Sequence, residues 1–275
     1  MKPLDRISLL SLATLLLAGV TAPAADANVQ VGIQTWTLRN MKFEQVVDFA
    51  VQHHVKYLEL IPNHIDPNAP VEEIKRKKAV LDEKGLVCYT FGVAGTSLDK
   101  EKNRKLFEFA KLMGLKFIVV EPGDQKIWDN LEELVKEYDI KLAIHNHGNG
   151  STYGDPAVVK KVLDSRDKRI GVCMDIGWVT STGRDAAKVF AEYGADRVFD
   201  FHLKDKKIEK SAEGKDIVLD VAIGTGQSNF KGLAAELKKS KWKGVMAIET
   251  DNGGFAKDPN EYVDGAVKYF NATLR

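Results

Sequence analysis

The chain has 275 residues, 44% hydrophobic and 29% charged, a balance that suits a globular protein with a full core in one large domain or two small ones. Forty basic and 39 acidic residues leave a net charge of +1, so the composition offers neither a nucleic-acid surface nor a polybasic membrane contact. Cys88 and Cys173 sit inside the apolar runs LVCYTF and IGVCMDIG; they read as buried free thiols, with a disulfide as the alternative.

Lys2 and Arg6 precede an apolar run from Ile7 to Val20, and the small residues of TAPAADA follow. This order predicts a secretory signal peptide over residues 1–27, cleaved after Ala27, with an uncleaved anchor as the alternative. The run is short for a membrane span. The segment carries Lys2, Arg6, Asp5 and Asp26, so the net charge of +1 is unchanged by its removal. The expectation is a mature domain of residues 28–275, secreted or periplasmic, without stable membrane contact.

From Asn28 onward, strand and helix patterns alternate. VQVGIQ (Val29 to Gln34) is the first strand, and Thr35 to Arg39 form a loop. Phe43, Val46, Val47 and Ala50 recur at helical spacing. Lys56 to Ile61 is the second strand, carrying Glu59 and followed by Pro62, Asn63 and His64. A helix from about Val71 to Lys84 is stopped by Gly85. LVCYTFGV is the third strand and KFIVVEPG, carrying Glu121, the fourth, with a helix near Asp99 to Met113 between them. After a helix over Lys126 to Tyr138 comes DIKLAIHNHGNG, a strand running into His145, Asn146 and His147. Strand alternation puts both imidazoles on one face and Asn146 on the other.

Asp155-Pro156 starts the next helix. RIGVCMDIGW then brings Asp175, and RVFDFHLKD brings His202, Lys204 and Asp205. Residues 206–229, with GTGQSN and a possible strand over Ile217 to Ala222, are long for a loop and read as a lid. KGVMAIE (Lys243 to Glu249) is the eighth strand. Eight such units predict a single parallel (β/α)8 barrel closed by its first and last strands, with an open doubly wound sheet as the alternative. No GxGxxG follows the first strand, which weakens a dinucleotide reading.

In such barrels the carboxyl ends of the strands converge on the face that does the chemistry. Here that face would hold Glu59, Glu121, His145, His147, Asp175, His202, Lys204 and Glu249. A single Glu after a strand is more often a cap or an ion-pair partner. Six of the eight strands ending in metal-competent side chains is a stronger pattern. Imidazoles and carboxylates without a thiolate suit one divalent ion, Mn²⁺, Co²⁺, Zn²⁺ or Mg²⁺. A hydrogen-bonded network without metal is the alternative.

GIQTWTLR, KYLELIP, VVEPG, IHNH, MDIGW, HLKD and AIE, in this order, resemble the xylose-isomerase-like barrels grouped as sugar phosphate isomerases and epimerases, over the whole mature region. His145-Asn146-His147 and the leader are similar to a secreted branch of that family. The resemblance implies a divalent metal on His145, Asp175, His202 and Glu249. It also implies a departure: sugar 3-epimerases of the family carry Glu at the position of His145, and His at that of Trp178. Glu249 therefore lacks its opposing carboxylate, and its partner would be His147, Glu121 or Lys204.

The resulting expectation is an isomerase or epimerase that removes a proton next to a carbonyl. The metal would stabilise the enediolate, Glu249 or His147 would act as base, and Lys204, held beside Asp205, would donate. Trp36 and Trp178 would face the ring of a non-phosphorylated sugar or keto-sugar, with Glu59, His64 and Arg39 on its hydroxyls. Barrel packing is the alternative for the two Trp residues, and an ordinary surface place for Arg39. Hydration or elimination on a 3-keto-glycoside or 3-keto-glucal at the same site, and a non-catalytic sugar-binding barrel, are the competing readings. Endonuclease chemistry, found in a DNA-repair branch, is disfavoured because Gly92 and Trp178 stand where that branch has histidines. Oligomerisation stays open.

Overall fold

The computed structural model describes residues 29–275; the expected leader lies outside the described residues. The barrel strands are β1 (Val29–Gln34), β2 (Tyr57–Leu60), β3 (Val87–Phe91), β4 (Phe117–Val120), β5 (Lys141–His145), β6 (Ile170–Asp175) and β7 (Val198–Leu203). A hairpin, β8 (Asp205–Lys210) and β9 (Asp216–Val221), precedes the last barrel strand, β10 (Gly244–Ile248). The sheet order is β3-β2-β1-β10-β7-β6-β5-β4. Val29 pairs with Gly244 and Ile33 with Ile248, so the first and last barrel strands close on each other in parallel.

The remaining seam, between β3 and β4, is thinner. One parallel bridge, Ala94 to Val120, joins the two sides, helped by the Thr90 hydroxyl donating to the Phe117 carbonyl at 2.9 Å. Gly92 is required there, since a Cβ would fall 2.4 Å from that of Val119. The fold is thus a nearly closed (β/α)8 barrel.

Outer helices follow the strands: α1 (Phe43–Gln52), α2 (Val71–Glu83), α3 (Lys100–Met113), α4 (Ile127–Tyr138), α5 (Pro156–Ser165), α6 (Ile176–Ser181), α7 (Ala186–Tyr193), α8 (Phe230–Ser240), α9 (Gly253–Lys257) and α10 (Asn260–Thr273). Asp99, Asp155 and Asp185 cap α3, α5 and α7 by accepting from backbone N–H groups of the first turn. A large apolar cluster lies between strands and helices. A second, small one (Phe117, Val119, Ala143 and Cys173, flanked by Tyr89, Val93 and Phe199) fills the barrel interior. Cys88 and Cys173 are free thiols.

The segment expected to be a lid loop is instead half hairpin, half pinned loop. β8 and β9 pair in antiparallel register from Asp205–Val221 to Lys210–Asp216. Beyond them the Asp205 carboxylate accepts from the backbone N–H groups of Gly224 at 2.9 Å, Gly226 at 2.8 Å and Ser228 at 3.1 Å, fixing GTGQSN. The expectation that Asp205 holds Lys204 is corrected accordingly: its oxygens are engaged by this loop. Because hydrogen bonds to a charged acceptor are each worth about 1.5–3 kcal/mol, Asp205→Ala should lower unfolding free energy by about 3 kcal/mol in urea titration and speed proteolysis within residues 222–229.

Candidate metal centre

The site begins with how strand ends are tied together. Asn146 faces away from its two histidine neighbours: its Oδ1 accepts from the Asp175 N–H at 2.9 Å and its Nδ2 donates to the Asp175 carbonyl at 3.3 Å. This clamp joins the ends of β5 and β6. Asp175 in turn caps α6, its Oδ1 accepting from Trp178 N–H at 2.7 Å, which leaves Oδ2 for the site.

His145 Nε2 lies 3.6 Å and His202 Nδ1 3.7 Å from Asp175 Oδ2. His202 Nδ1 is also 2.9 Å from Glu249 Oε2. Donor atoms of these four residues all fall within 4.8 Å of one another, and the residues are at most 5% exposed. Separations of 3.6 and 3.7 Å are long for hydrogen bonds. They match the edge of about 3.4 Å between tetrahedral ligands bound at about 2.1 Å. Asp175 Oδ2, Glu249 Oε2, His202 Nδ1 and both ring nitrogens of His145 have no aligned hydrogen-bond partner. Buried polar atoms are seldom left so. This donor set fits a single divalent cation.

The far side of His202 completes the arrangement. Glu59, fully buried, meets its Nε2 at 2.9 Å, the carboxylate–imidazole pairing that orients metal-binding histidines. Glu59 was expected on substrate hydroxyls; the structure places it, fully buried, beneath His202 instead. Lys204, 1% exposed, sends Nζ to within 3.0 Å of both Asp175 Oδ2 and Glu249 Oε2 and 2.7 Å of Asp251 Oδ2. Its stem passes against Gly177, where a Cβ would lie 2.7 Å from Lys204 Cγ.

Charge follows from this packing. Burial by itself would neutralise each group, and neighbours reverse that. Asp175 is held well below the usual carboxylate range by Lys204 and the two imidazoles. Glu249 is held to about 2 by Lys204 and His202. Asp175 and Glu121 raise His145, while Cys173, Glu59 and Glu249 push His202 well up.

His147 and Glu121 form a second, more open pair beside the cluster, Nδ1 to Oε2 at 2.7 Å, with the His147 side chain 40% exposed. The two imidazoles meet edge to face at 4.5 Å between centroids. Of the expected sugar contacts, Trp36 is 39% exposed at the rim, its Nε1 donating to Asp251 Oδ1 at 3.2 Å. Arg39 is engaged in tying the first loop to the end of β10, donating to the carbonyls of Trp36, Thr250 and Asp251. His64 is 1% exposed, with Nδ1 on Thr35 Oγ1 at 2.9 Å and Nε2 unpartnered; desolvation lowers its pKa. One face of Trp178 is covered by the Lys206 ammonium, 3.7 Å from the ring centroid, and so is closed to a sugar ring.

Sequence reasoning passed over Asp251, Lys206 and Asp220. Asp220 accepts from Thr250 Oγ1 at 3.2 Å and the Asp251 N–H at 2.7 Å, and pairs with Lys206, stapling the hairpin to the loop after β10. The available signal was the place of Asp251, two residues beyond Glu249, and the apolar run Ile217 to Leu219.

Residues 47–273 match the xylose isomerase-like TIM barrel family, and the chain belongs to it. It is 32% identical over 114 residues (35% of this chain, 41% of the relative) to a probable endonuclease 4 of Thermoplasma acidophilum. It is 24% identical over 157 residues (53% of this chain, 52% of the relative) to an inosose dehydratase of Lacticaseibacillus casei. The chain thus matches about half the length of these relatives, or less. An uncharacterised protein from Parabacteroides distasonis superposes with a TM-score of 0.69 at 27% identity, covering 90% of this chain and 99% of its own.

These matches define the family and correct the narrower assignment to a secreted branch marked by His145-Asn146-His147. The triplet is not a unit: Asn146 is a backbone clamp between strands, and only the flanking imidazoles face the site.

Glu121 makes the local electrostatics measurable. Burial would raise its pKa, but the His145 and His147 imidazoles outweigh this and hold it to about 2, from 4.5. A depressed acid stabilises the fold above its unfolded value and loses that contribution as pH falls through the folded one. Metal-free wild type should therefore lose more stability than Glu121→Gln between pH 4.5 and about 2, read by urea titration across that window.

Proposed function

We propose that this chain is a divalent-metal-dependent enzyme acting on a non-phosphorylated sugar or keto-sugar by removing a proton next to a carbonyl, as an isomerase or epimerase. The observation that carries this reading is the His145, Asp175, His202 and Glu249 donor set, whose buried donor atoms lie within 4.8 Å of one another and make no aligned hydrogen bond. When bound, the ion would supply Lewis-acid polarisation of a substrate carbonyl and its neighbouring hydroxyl.

The chain's own residues supply the rest. His147 is the base best placed for substrate: it is reachable from solvent, and Glu121 on Nδ1 leaves Nε2 as the nitrogen that takes the proton. Glu249, as a ligand at the edge of the cluster, is the second candidate. Lys204 keeps a positive charge beside the carboxylates and donates toward negative charge developing on substrate oxygen. Trp36 offers an exposed indole at the rim. The sequence carries no cluster of arginines to cradle a phosphate, which favours a neutral substrate.

Dehydration of a keto-sugar at the same site is the second reading. It is favoured by the similarity to inosose dehydratase and by Lys204, an acid within reach of a leaving hydroxyl. The two share their first proton transfer.

Elemental mass spectrometry should find about one divalent ion per wild-type chain and none in His202→Ala; an equal content in both would remove the metal from this site. Product NMR in D₂O then separates the reactions. Solvent deuterium at one carbon without loss of water supports isomerisation or epimerisation, and loss of water supports the dehydratase. His147→Ala should lower kcat by at least about 100-fold, the usual scale of general-base catalysis, while leaving the metal content intact.

A further inference from the structure

We propose that Lys204 sets the affinity of this centre for its ion: its ammonium stands in for the cation between Asp175 and Glu249, and withdraws to Asp251 when an ion is held. The inference rests on the metal-site reading above and concerns what that reading leaves unexplained, a buried lysine on the ligand oxygens themselves.

Nζ of Lys204 meets three carboxylate oxygens. Two of them, Asp175 Oδ2 and Glu249 Oε2, belong to the donor set and lie 3.0 Å away. The third, Asp251 Oδ2 at 2.7 Å, is outside it and is the nearest. A divalent ion on the first two oxygens would face a positive charge bound to the same atoms, a strong repulsion where water is excluded. Without any cation, two carboxylates would be buried against each other, which is also costly. Lys204 settles the second conflict and creates the first.

Withdrawal needs a prepared anchor and a flexible arm. Asp251 is held in place from both ends, Oδ1 by Trp36 Nε1 at 3.2 Å and its N–H by Asp220 Oδ2 at 2.7 Å. Its side chain is 38% exposed, so its charge is not needed inside the donor set. Lysine offers three rotatable donors on a four-carbon stem, and the absent side chain of Gly177 gives that stem its channel. Lys206 is not a substitute, since it is committed to Asp220 and the Trp178 ring and stays 3.7 Å from Asp251.

Two substitutions should act with opposite sign. Lys204→Met removes the competing charge, so metal-stripped protein should bind Co²⁺ about tenfold more tightly while melting at a lower temperature than metal-stripped wild type. Asp251→Asn removes the resting place, so Lys204 stays on the ligand oxygens and Co²⁺ binding should weaken by about tenfold. The double variant should match Lys204→Met. Titration calorimetry and thermal melts with and without Co²⁺ read all three.

Should Lys204→Met fail to fold without ion, Lys204→Gln repeats the test with a polar side chain, and Asp251→Asn tests it independently. Unchanged or weaker Co²⁺ binding on loss of the lysine charge would overturn the proposal, as would unchanged binding in Asp251→Asn. Wild type that binds no Co²⁺, or His202→Ala that binds it equally well, would instead bring down the site reading itself.

Discussion

The structure is organised around the concentration of negative charge at the barrel mouth. Glu59 and Asp175 are fully buried and Glu249 is 5% exposed, and anions taken out of water must be paired or neutralised. Two imidazoles and one ammonium meet that requirement at the strand ends. Much of the surrounding structure serves to keep them there. Asn146 fixes the end of β6, Gly177 makes room for the Lys204 stem, and Asp220 braces the loop that carries Asp251. Deeper in the barrel the same problem has a different solution. Asp200 is pushed well above the carboxylate range by burial and the charge of Glu59, with the Tyr89 hydroxyl 3.0 and 3.1 Å from its two oxygens. There a phenol hydroxyl donates to the carboxylate.

Most of the scaffold could be read from the chain because a parallel barrel strand is buried on both sides and shows as a short apolar run. VQVGIQ, KFIVVEPG and KGVMAIE stand out for this reason, and the residues that end them are those the topology gathers. The hairpin was hidden because one of its strands, Asp205–Lys210, is dominated by charge and much of it faces solvent. Side-chain direction was less accessible. Glu59 and Glu121 look alike in sequence, each closing an apolar strand, yet one is sealed beneath His202 and the other reaches the more open His147. Asp251 lies in the loop just past the apolar run of β10 and has no periodicity of its own.

In the proposed reading His145 stands where the resemblance implies a carboxylate. A donor set of two imidazoles and two carboxylates is softer than one dominated by oxygen, which moves metal preference toward the borderline ions. The same reading leaves Glu249 without the opposing carboxylate that the resemblance implies for an inverting epimerisation, and the imidazole of His147, with Glu121 on its Nδ1, is the proposed replacement.

The four strands that carry the candidate donor residues, β5, β6, β7 and β10, are consecutive neighbours in the sheet, and the thin β3–β4 seam falls outside that run, separated from β5 by β4 and from β10 by β1, β2 and β3. Opening at the seam would part Phe91 and the loop after β3 from β4 and leave the ladders between the four donor strands unbroken. A barrel divided in this way keeps its weakest pairing outside the run of strands that its candidate ligands share.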